Sequence, residues 1–407
     1  MSASVLRKLT LLWLAWLVIL LGFQAWTGMR FQVKHPDYAL EWTPIDTSLT
    51  YKQNKPYLKE PFMNQQVAFD SEYYLSIATV GYADPKVTAG NIHGEMVPLN
   101  YAFMPFYPYV MKVVAFPLRL LSLSPIATST LAGVIVSALG TLAGMLALYD
   151  LAHEELEDQG ALRTVFYLLI FPAGFFLAMV YTEGLFIGLA FGALALTRRK
   201  QWLWAVLLSI CATWTRAVGV LLVIPLVMTF VRTGQLRQIN RSKPGLKTLV
   251  WLLLMLTPLA AYFAWSFSAW GQLFQLVDEN YFGRALFDLG PSIAGWTNAF
   301  QSLFGKNQQT AAYYMVEIGA TLLGLIACIF TYRRYPELTL FSLAVIIISL
   351  TSGYPQGMHR YTMTAPAVFL FLGRLGKQPV FDRAWTLLST LIMGGMALLF
   401  AADMWAG

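Results

Sequence analysis

Four ionisable residues beside apolar segments could carry out chemistry: Asp70, Glu183, Arg216 and Arg360. A carboxylate can take a proton from a hydroxyl group, and an arginine can hold a phosphate group through two parallel hydrogen bonds. Ionisable residues close to hydrocarbon are usually functional, because placing a charge there costs free energy. These residues therefore indicate a site that activates a hydroxyl group and binds a phosphate group.

Asp70 lies at the start of the stretch Phe69-Asp70-Ser71-Glu72-Tyr73-Tyr74, whose apolar residues and those that follow have helical spacing. One interpretation is that Asp70 caps the helix by accepting hydrogen bonds from its first free amides, and spacing alone favours this. The other is that Asp70 is a general base that faces a sugar or lipid hydroxyl. Glu72 is expected to face another direction and to be solvated.

Three very short turns between apolar segments carry the other candidates: Glu183 in the first, Arg216 in the second, and His359, Arg360 and Tyr361 in the third. A solvated loop residue is the ordinary interpretation of each. The turns are so short, however, that their charges must lie near the hydrocarbon. We therefore treat all five as candidates for binding a phosphate or positioning a substrate.

The composition indicates a membrane protein. Of the 407 residues, 57% are hydrophobic and 12% are charged, whereas a soluble domain has about 25% charged residues. The apolar residues form long blocks, which argues against a soluble enzyme, a disordered chain or a disulfide scaffold. Cys211 and Cys328 both lie within such blocks, so neither a disulfide nor a metal site is indicated.

The basic clusters predict the topology, because cytoplasmic loops collect Lys and Arg. If all of them, including the cluster at 232–247, lie on one side, the chain crosses about 11 times, with its N-terminus inside and C-terminus outside. The segment 104–121 is then an amphipathic helix in the outer interface, and 201–231 is a hairpin with Arg216 at its turn. The predicted spans are 9–26, 126–149, 163–180, 181–197, the two arms of 201–231, 246–268, 313–331, 337–352, 361–373 and 384–404.

The first span could be a cleaved signal peptide, since it has a short basic start and an apolar body. No clear small-residue cleavage site follows it, so a retained anchor is favoured. The expected fold is a single all-α integral-membrane domain. Two long outer segments, 27–125 and 269–312, belong to it, and the first carries interfacial helices and the candidate base.

The sequence contains no GxGxxG or Walker pattern for a soluble nucleotide, no DxD pair and no His/Cys metal constellation. A group donor used on the outer face is therefore expected to be linked to a lipid. We expect no metal or other cofactor, because arginines can neutralise a leaving phosphate, and no nucleic-acid partner.

The chain resembles the GPI mannosyltransferase family that adds the second mannose (PIG-V type) and its bacterial relatives, which are GT-C class membrane glycosyltransferases. The resemblance covers about 60 to 375, in the family's order. The matching stretches are FDSEYYLSIATVGY at 69–82, FMPFYPYVMKVV at 103–114, FPAGFFLAMVYTEGLFIGLAF at 171–191, ATWTRAVGVLLVIPL at 212–226 and HRYTMTAPAVFLF at 359–371.

The resemblance implies a GT-C-like fold and the transfer of a hexose, typically mannose, from a polyprenyl-phosphate sugar. It implies that Asp70 is the base, and that Glu183, Arg216 and Arg360 hold the donor phosphate or orient substrates. The expected partners are this donor, membrane lipids and a glycolipid, lipid or protein acceptor. A prokaryotic plasma membrane is favoured over the endoplasmic reticulum, with the site outside the cytoplasm. The alternative function is a lipid or sugar transporter or flippase.

Overall fold

The computed structural model describes residues 2–31, 36–48, 54–90, 94–233 and 246–407. Helices follow most of the apolar segments in these parts, because a backbone in hydrocarbon must satisfy its own hydrogen bonds. The α-helices, in chain order, are α1 Ala3–Arg30, α2 Thr43–Asp46, α3 Ser71–Thr79, α4 Phe106–Leu118, α5 Pro125–Leu169, α6 Glu183–Arg198, α7 Trp202–Thr215, α8 Val223–Arg232, α9 Leu246–Met255, α10 Thr257–Ser266, α11 Phe274–Phe282, α12 Leu289–Ser302, α13 Gln308–Thr331, α14 Pro336–Leu350, α15 Met358–Met363, α16 Pro366–Leu375 and α17 Pro379–Ala401.

Short 3-10 helices and one small β-hairpin accompany the α-helices, and the protein is mostly helical as expected. The hairpin pairs β1 Thr88–Gly90 with β2 Met96–Pro98 in antiparallel register and lies in the first long outer segment. The 3-10 helices are Pro56–Leu58, Asn64–Gln66, Leu99–Ala102, Arg119–Leu121, Gly174–Ala178, Ala217–Leu222 and Gly271–Leu273.

Within the described ranges, α1, α5, α13 and α17 are long and apolar enough to cross a membrane. The pair α9 and α10, bent by 50°, would make a fifth crossing if it is one span. Other apolar helices, such as α7, α14 and α16, have 10–17 residues. At 1.5 Å per residue all of these are shorter than the hydrocarbon core of about 30 Å. The structure thus supports four or five crossings by length, and the count of 11 stays a prediction.

Two predicted spans differ from the structure: 361–373 is divided between α15 and α16, and 163–180 is α-helical only in its first part. The helix ends at Leu169, and turns with the 3-10 helix Gly174–Ala178 follow. Pro172 disfavours helical backbone in the residue before it. The segment from 171 to 182 is buried throughout, where protein rather than lipid surrounds its irregular backbone. The break also separates α5 from α6 and sets the position of Glu183.

The 45-residue helix α5 is not continuous, because Glu157 has φ 55° and ψ −174°. Two helices therefore meet at Glu157, where the sequence predicts an inner turn. Close to it, Glu155 forms ion pairs with Arg374 at 2.6 Å and Arg334 at 3.7 Å, and Glu154 pairs with Arg198. These predicted cytoplasmic charges thus lie together. Most of the basic segment 232–247 lies outside the described residues.

The first outer segment forms its own aromatic core under α3 and α4. Tyr74 of α3 packs edge-to-face against Phe103 and Tyr107, with ring centroids 5.1 Å apart in both pairs. The predicted interfacial helix at 104–121 corresponds to α4, which buries Met111 and leaves Phe116 exposed. The segment is therefore a packed part of the domain and holds α3 in place.

Helices α5 and α6 pack at very close range through glycines. Each helix carries two glycines four residues apart, Gly140 with Gly144 and Gly184 with Gly188, a spacing that lets helix backbones approach in membranes. A Cβ atom added to Gly188 would collide with the carbonyl oxygen of Gly140. This contact fixes α6, and with it Glu183, against α5.

The Gly188→Ala variant tests this packing. We expect a loss of about 1–3 kcal/mol in unfolding free energy, since the added methyl group overpacks the contact, and a lower thermal unfolding midpoint in detergent. Gly394→Ala is the matched control, because no atom lies within 4 Å of a Cβ added there. Equal midpoints for the two variants would contradict the close packing of α5 and α6.

Candidate active site

Asp70 stands at the N-cap position of α3, but its side chain makes no capping hydrogen bond. The Nη1 and Nη2 atoms of Arg360 instead donate to its Oδ2 at 3.4 Å. The capping interpretation of Asp70 is therefore wrong. The carboxylate is turned away from the helix amides towards an arginine that lies 290 residues later in the chain.

The backbone around Asp70 is held by the buried segment that precedes α6. The hydroxyl group of Tyr181 accepts a hydrogen bond from the Asp70 amide at 3.2 Å and donates to the Ala68 carbonyl at 3.1 Å. Phe69 has φ 47°, in the left-handed region that non-glycine residues rarely adopt. Such strain persists only where surrounding contacts impose it, and here it turns the chain just before the candidate base.

Glu183 lies beneath two arginines. Its Oε1 atom accepts from Arg360 at 2.7 Å and from Arg216, and its side chain is fully buried. Thr182 also accepts from Arg216, at 3.4 Å. The structure thus joins Asp70, Glu183, Arg216 and Arg360, from four separate parts of the chain, into one group of charges.

Aromatic rings enclose both guanidinium groups. The Cζ atom of Arg360 lies 4.7 Å from the ring centroids of Phe176 and Tyr181. The Cζ atom of Arg216 lies 4.9 Å from the ring of Tyr361. Ring faces attract cations, particularly where water is excluded. The rings therefore offset part of the cost of burying these charges and fix the planes of both arginines.

Asp70, Arg216, Arg360 and Tyr361 line a cavity of about 1550 Å³. Both long outer segments contribute to its wall, and so does the C-terminal end of the described chain; the wall residues include Tyr38, Trp42, Tyr73, Phe103, Asp278, Arg284, Asn298 and Trp405. Asp70 is 26% exposed in its side chain, and Arg216 and Arg360 are each 11% exposed. The charged group thus lies at the floor of a space large enough for two substrates.

Glu183 and His359 lie behind this surface, not on it. Both are fully buried, and neither is among the residues that line the cavity. The Nδ1 atom of His359 lies 2.9 Å from the Oε2 atom of Glu317 on α13. Of the residues predicted to touch substrate, these two are therefore placed to act through their neighbours.

Glu72 is not solvated as the sequence suggested. It is 5% exposed and lies 3.9 Å from the Nζ atom of Lys55. Burial raises the pKa of Glu72 to about 7, against the opposing effect of Lys55. The sequence-based expectation failed because α3 is covered on that side by a loop earlier in the chain.

Sequence reasoning also missed Glu317, which lies within the predicted span 313–331. Glu317 is the tenth residue of α13 and is fully buried. A lone carboxylate in an apolar helix is usually functional, so this signal was present in the sequence. Its partner could not be read from the pattern, since His359 lies on another helix.

Among the described residues, no group of three or more His, Cys, Asp or Glu side chains could hold a metal ion. Independence from a metal cofactor stays a prediction.

Residues 15–274 match the sequence profile of the family described as Mannosyltransferase (PIG-V). This match covers more than half of the chain. The chain belongs to the mannosyltransferase (PIG-V) family. The description of this family names mannosyl transfer, and the apolar helices of the chain make it an integral-membrane protein. Asp70, Glu183 and Arg216 lie within the matched residues, whereas Glu317 and Arg360 lie beyond them.

Solved structures of other enzymes are similar to this family member in part. ArnT from Cupriavidus metallidurans, bound to undecaprenyl phosphate, shares 14% identity over 84% of this chain with a TM-score of 0.47. The oligosaccharyltransferase from Archaeoglobus fulgidus shares 14% identity over 96% of this chain with a TM-score of 0.45. The chain spans 62% and 53% of the lengths of these two proteins. A comparison with curated proteins gives no match.

The Glu183→Gln variant tests whether this carboxylate holds the two arginines in place. We expect a loss of about 3–5 kcal/mol in stability, because two buried cations lose a partner, and a lower thermal unfolding midpoint. Glu154→Gln is the control, since Glu154 is 73% exposed and surface pairs contribute about 0–1 kcal/mol. Similar midpoints in the two variants would exclude a central role for Glu183.

Proposed function

We propose that this membrane glycosyltransferase moves a hexose, mannose by its family, from a polyprenyl-phosphate sugar to an acceptor hydroxyl group outside the cytoplasm. The observation that carries the proposal is the position of Asp70. Its carboxylate is turned out of the capping geometry into a large cavity, directly beside Arg360. Arg216 belongs to the same group of charges through Glu183, which pairs with both arginines. A base and a phosphate-binding group must lie side by side in such a reaction.

Asp70 suits the role of general base. Burial raises the pKa of Asp70 above its ordinary value, although Arg360 opposes this effect. A carboxylate with raised proton affinity is a stronger base, and it stays ionised near neutral pH while its pKa is below that pH. Within the described structure both hydrogen bonds to Asp70 from Arg360 go to Oδ2. The Oδ1 atom is therefore left for the acceptor hydroxyl group.

Arg216 suits the donor phosphate. Its two described hydrogen bonds, to Thr182 and Glu183, both use Nη1. The Nε and Nη2 atoms remain as donors beside the cavity, and two such donors match two phosphate oxygens. Arg360, in contrast, already donates to Asp70, Glu183 and the Gly407 carbonyl. We therefore assign phosphate binding mainly to Arg216 and the alignment of Asp70 to Arg360.

The proposed reaction is a single displacement. Asp70 removes the proton of the acceptor hydroxyl group as its oxygen bonds to C1 of the sugar. The bond between C1 and the phosphate oxygen breaks, and the electron pair leaves with the polyprenyl phosphate. Arg216 stabilises the negative charge that gathers there. Attack from the side opposite the leaving group inverts the configuration at C1.

We further propose the 11-crossing, GT-C-like topology, with the cavity on the extracytoplasmic side of a prokaryotic plasma membrane. Its support is the separation of charges in the structure. The predicted outer residues Asp70, Glu183, Arg216 and Arg360 form one cluster, while the predicted inner residues Glu155 and Arg374 pair elsewhere. The acceptor is a glycolipid, lipid or protein that reaches this cavity.

The Asp70→Asn variant tests the base. We expect sugar transfer from a polyprenyl-phosphate mannose to fall by about 10²–10⁴-fold, the usual contribution of general base catalysis, because asparagine keeps the shape and cannot take the proton. Release of polyprenyl phosphate by purified protein measures this. Glu279→Gln, an exposed cavity acid, should retain wild-type transfer. A fully active Asp70→Asn enzyme would contradict the assignment of Asp70 as the general base.

The pH dependence of transfer gives a second test. A base acts in its ionised form, so kcat/KM should fall as the pH drops through the pKa of Asp70. Because burial raises that pKa, we expect the midpoint of the acid limb above the ordinary aspartate value of about 3.9. A profile that stays flat down to pH 4, in protein that remains folded, would rule out a raised pKa at the catalytic base.

A further inference from the structure

We infer that Glu317 is a positioning residue of the reaction: it holds the turn at 357–361 so that Arg360 meets Asp70. This inference rests on the proposed function, because Arg360 acts there through the base. Glu317 lies beyond the residues matched to the family. It does not touch the cavity, and its effect on the site passes through the turn at 357–361.

Both carboxylate oxygens of Glu317 take part in hydrogen bonds, three with the turn and one with Tyr313 on α13. Its Oε1 atom accepts from the Gly357 amide at 2.7 Å and from the Tyr313 hydroxyl group at 2.5 Å. Its Oε2 atom accepts from the His359 amide at 2.9 Å and lies 2.9 Å from His359 Nδ1. One carboxylate therefore fixes the backbone on both sides of Met358 and the side chain just before Arg360.

The turn needs such an external acceptor because the amides of Gly357 and His359 have no acceptor within the described residues of the turn. Helix α15, Met358–Met363, has six residues, and a helix leaves its first four amides without partners within the helix. Gly357 has φ 79°, which glycine adopts without strain. Glu317 supplies the missing acceptors at this end, and the direction in which Arg360 leaves the helix follows from them.

A carboxylate buried inside an apolar helix destabilises the protein unless it is fully bonded. Glu317 satisfies this requirement with four donors from two helices and a turn. The same contacts connect α13, outside the catalytic cluster, to the residue that aligns the base. A displacement of about 1 Å at a catalytic group can lower the rate by about 100-fold, so a small movement of the turn is enough to matter.

The test is a double-mutant cycle with Glu317→Gln and Arg360→Gln in the full chain. The glutamine side chain presents an amide donor where Glu317 has an acceptor, so the turn shifts. We expect kcat/KM for transfer from polyprenyl-phosphate mannose to fall by about 100-fold. We also expect the acid limb of the pH dependence of kcat/KM to move to higher pH, because Arg360 no longer lowers the proton affinity of Asp70. Glu337→Gln, at the start of α14, is the matched control and should transfer normally.

The double variant decides between positioning and general destabilisation. If Glu317 acts through Arg360, adding Glu317→Gln to the Arg360→Gln variant changes kcat/KM by less than about threefold. Two results would overturn the inference. One is a double variant whose loss in kcat/KM equals the product of the two single losses, and the other is a Glu317→Gln variant whose pH–rate profile falls at the same acid pH as that of the wild type. Should Glu317→Gln not fold, Tyr313→Phe removes one of the four hydrogen bonds and should cause a smaller loss with the same pH shift. Its transfer at the wild-type rate and pH profile would likewise overturn the inference.

A wild-type protein that transfers no sugar would refute the proposed function separately. The inference is then decided by the thermal unfolding midpoints of the same four proteins of the cycle. Non-additive changes would support the link between Glu317 and Arg360, and additive changes would overturn it.

Discussion

Two guanidinium groups inside a charge-poor helical protein impose the main constraint on this structure, since each must be paired where it is buried. Arg360 reaches both Glu183 and Asp70, and Arg216 reaches Glu183. Removing one partner from such a group leaves an uncompensated charge. The helix ends that carry these residues are therefore fixed relative to one another. Glu183 is brought between Arg216 and Arg360 by the close packing of α5 on α6 and by the buried segment before α6.

Most helices could be predicted from the sequence. In a chain with 12% charged residues, a long uncharged segment has few alternatives to a helix. Most of the predicted spans therefore coincide with helices in the structure. The exception at 163–180 has a physical reason: apolar composition does not distinguish a helix from irregular backbone that is buried in protein. Pro172 was the local signal, and it marks the region where the helix ends.

The candidate site was predictable in its residue types and less so in their roles. The charges beside apolar segments identified Asp70, Glu183, Arg216 and Arg360, and the structure places all four together. Excluding a helix cap at Asp70 required the contact with Arg360, which no local pattern connects to it. Glu72 and Glu317 were misjudged for the same reason, because their partners Lys55 and His359 come from distant parts of the chain.

The four charges of the cluster also sum to zero when both acids are ionised. In the proposed reaction, a phosphodiester donor that enters the cavity adds one negative charge beside this group. That charge increases the proton affinity of Asp70. Linkage is reciprocal, so donor affinity must depend on pH through this one carboxylate. In the proposed reaction, a site that is electroneutral when empty thus gives Asp70 a higher proton affinity once the donor is bound, so the event that loads the substrate also strengthens the base.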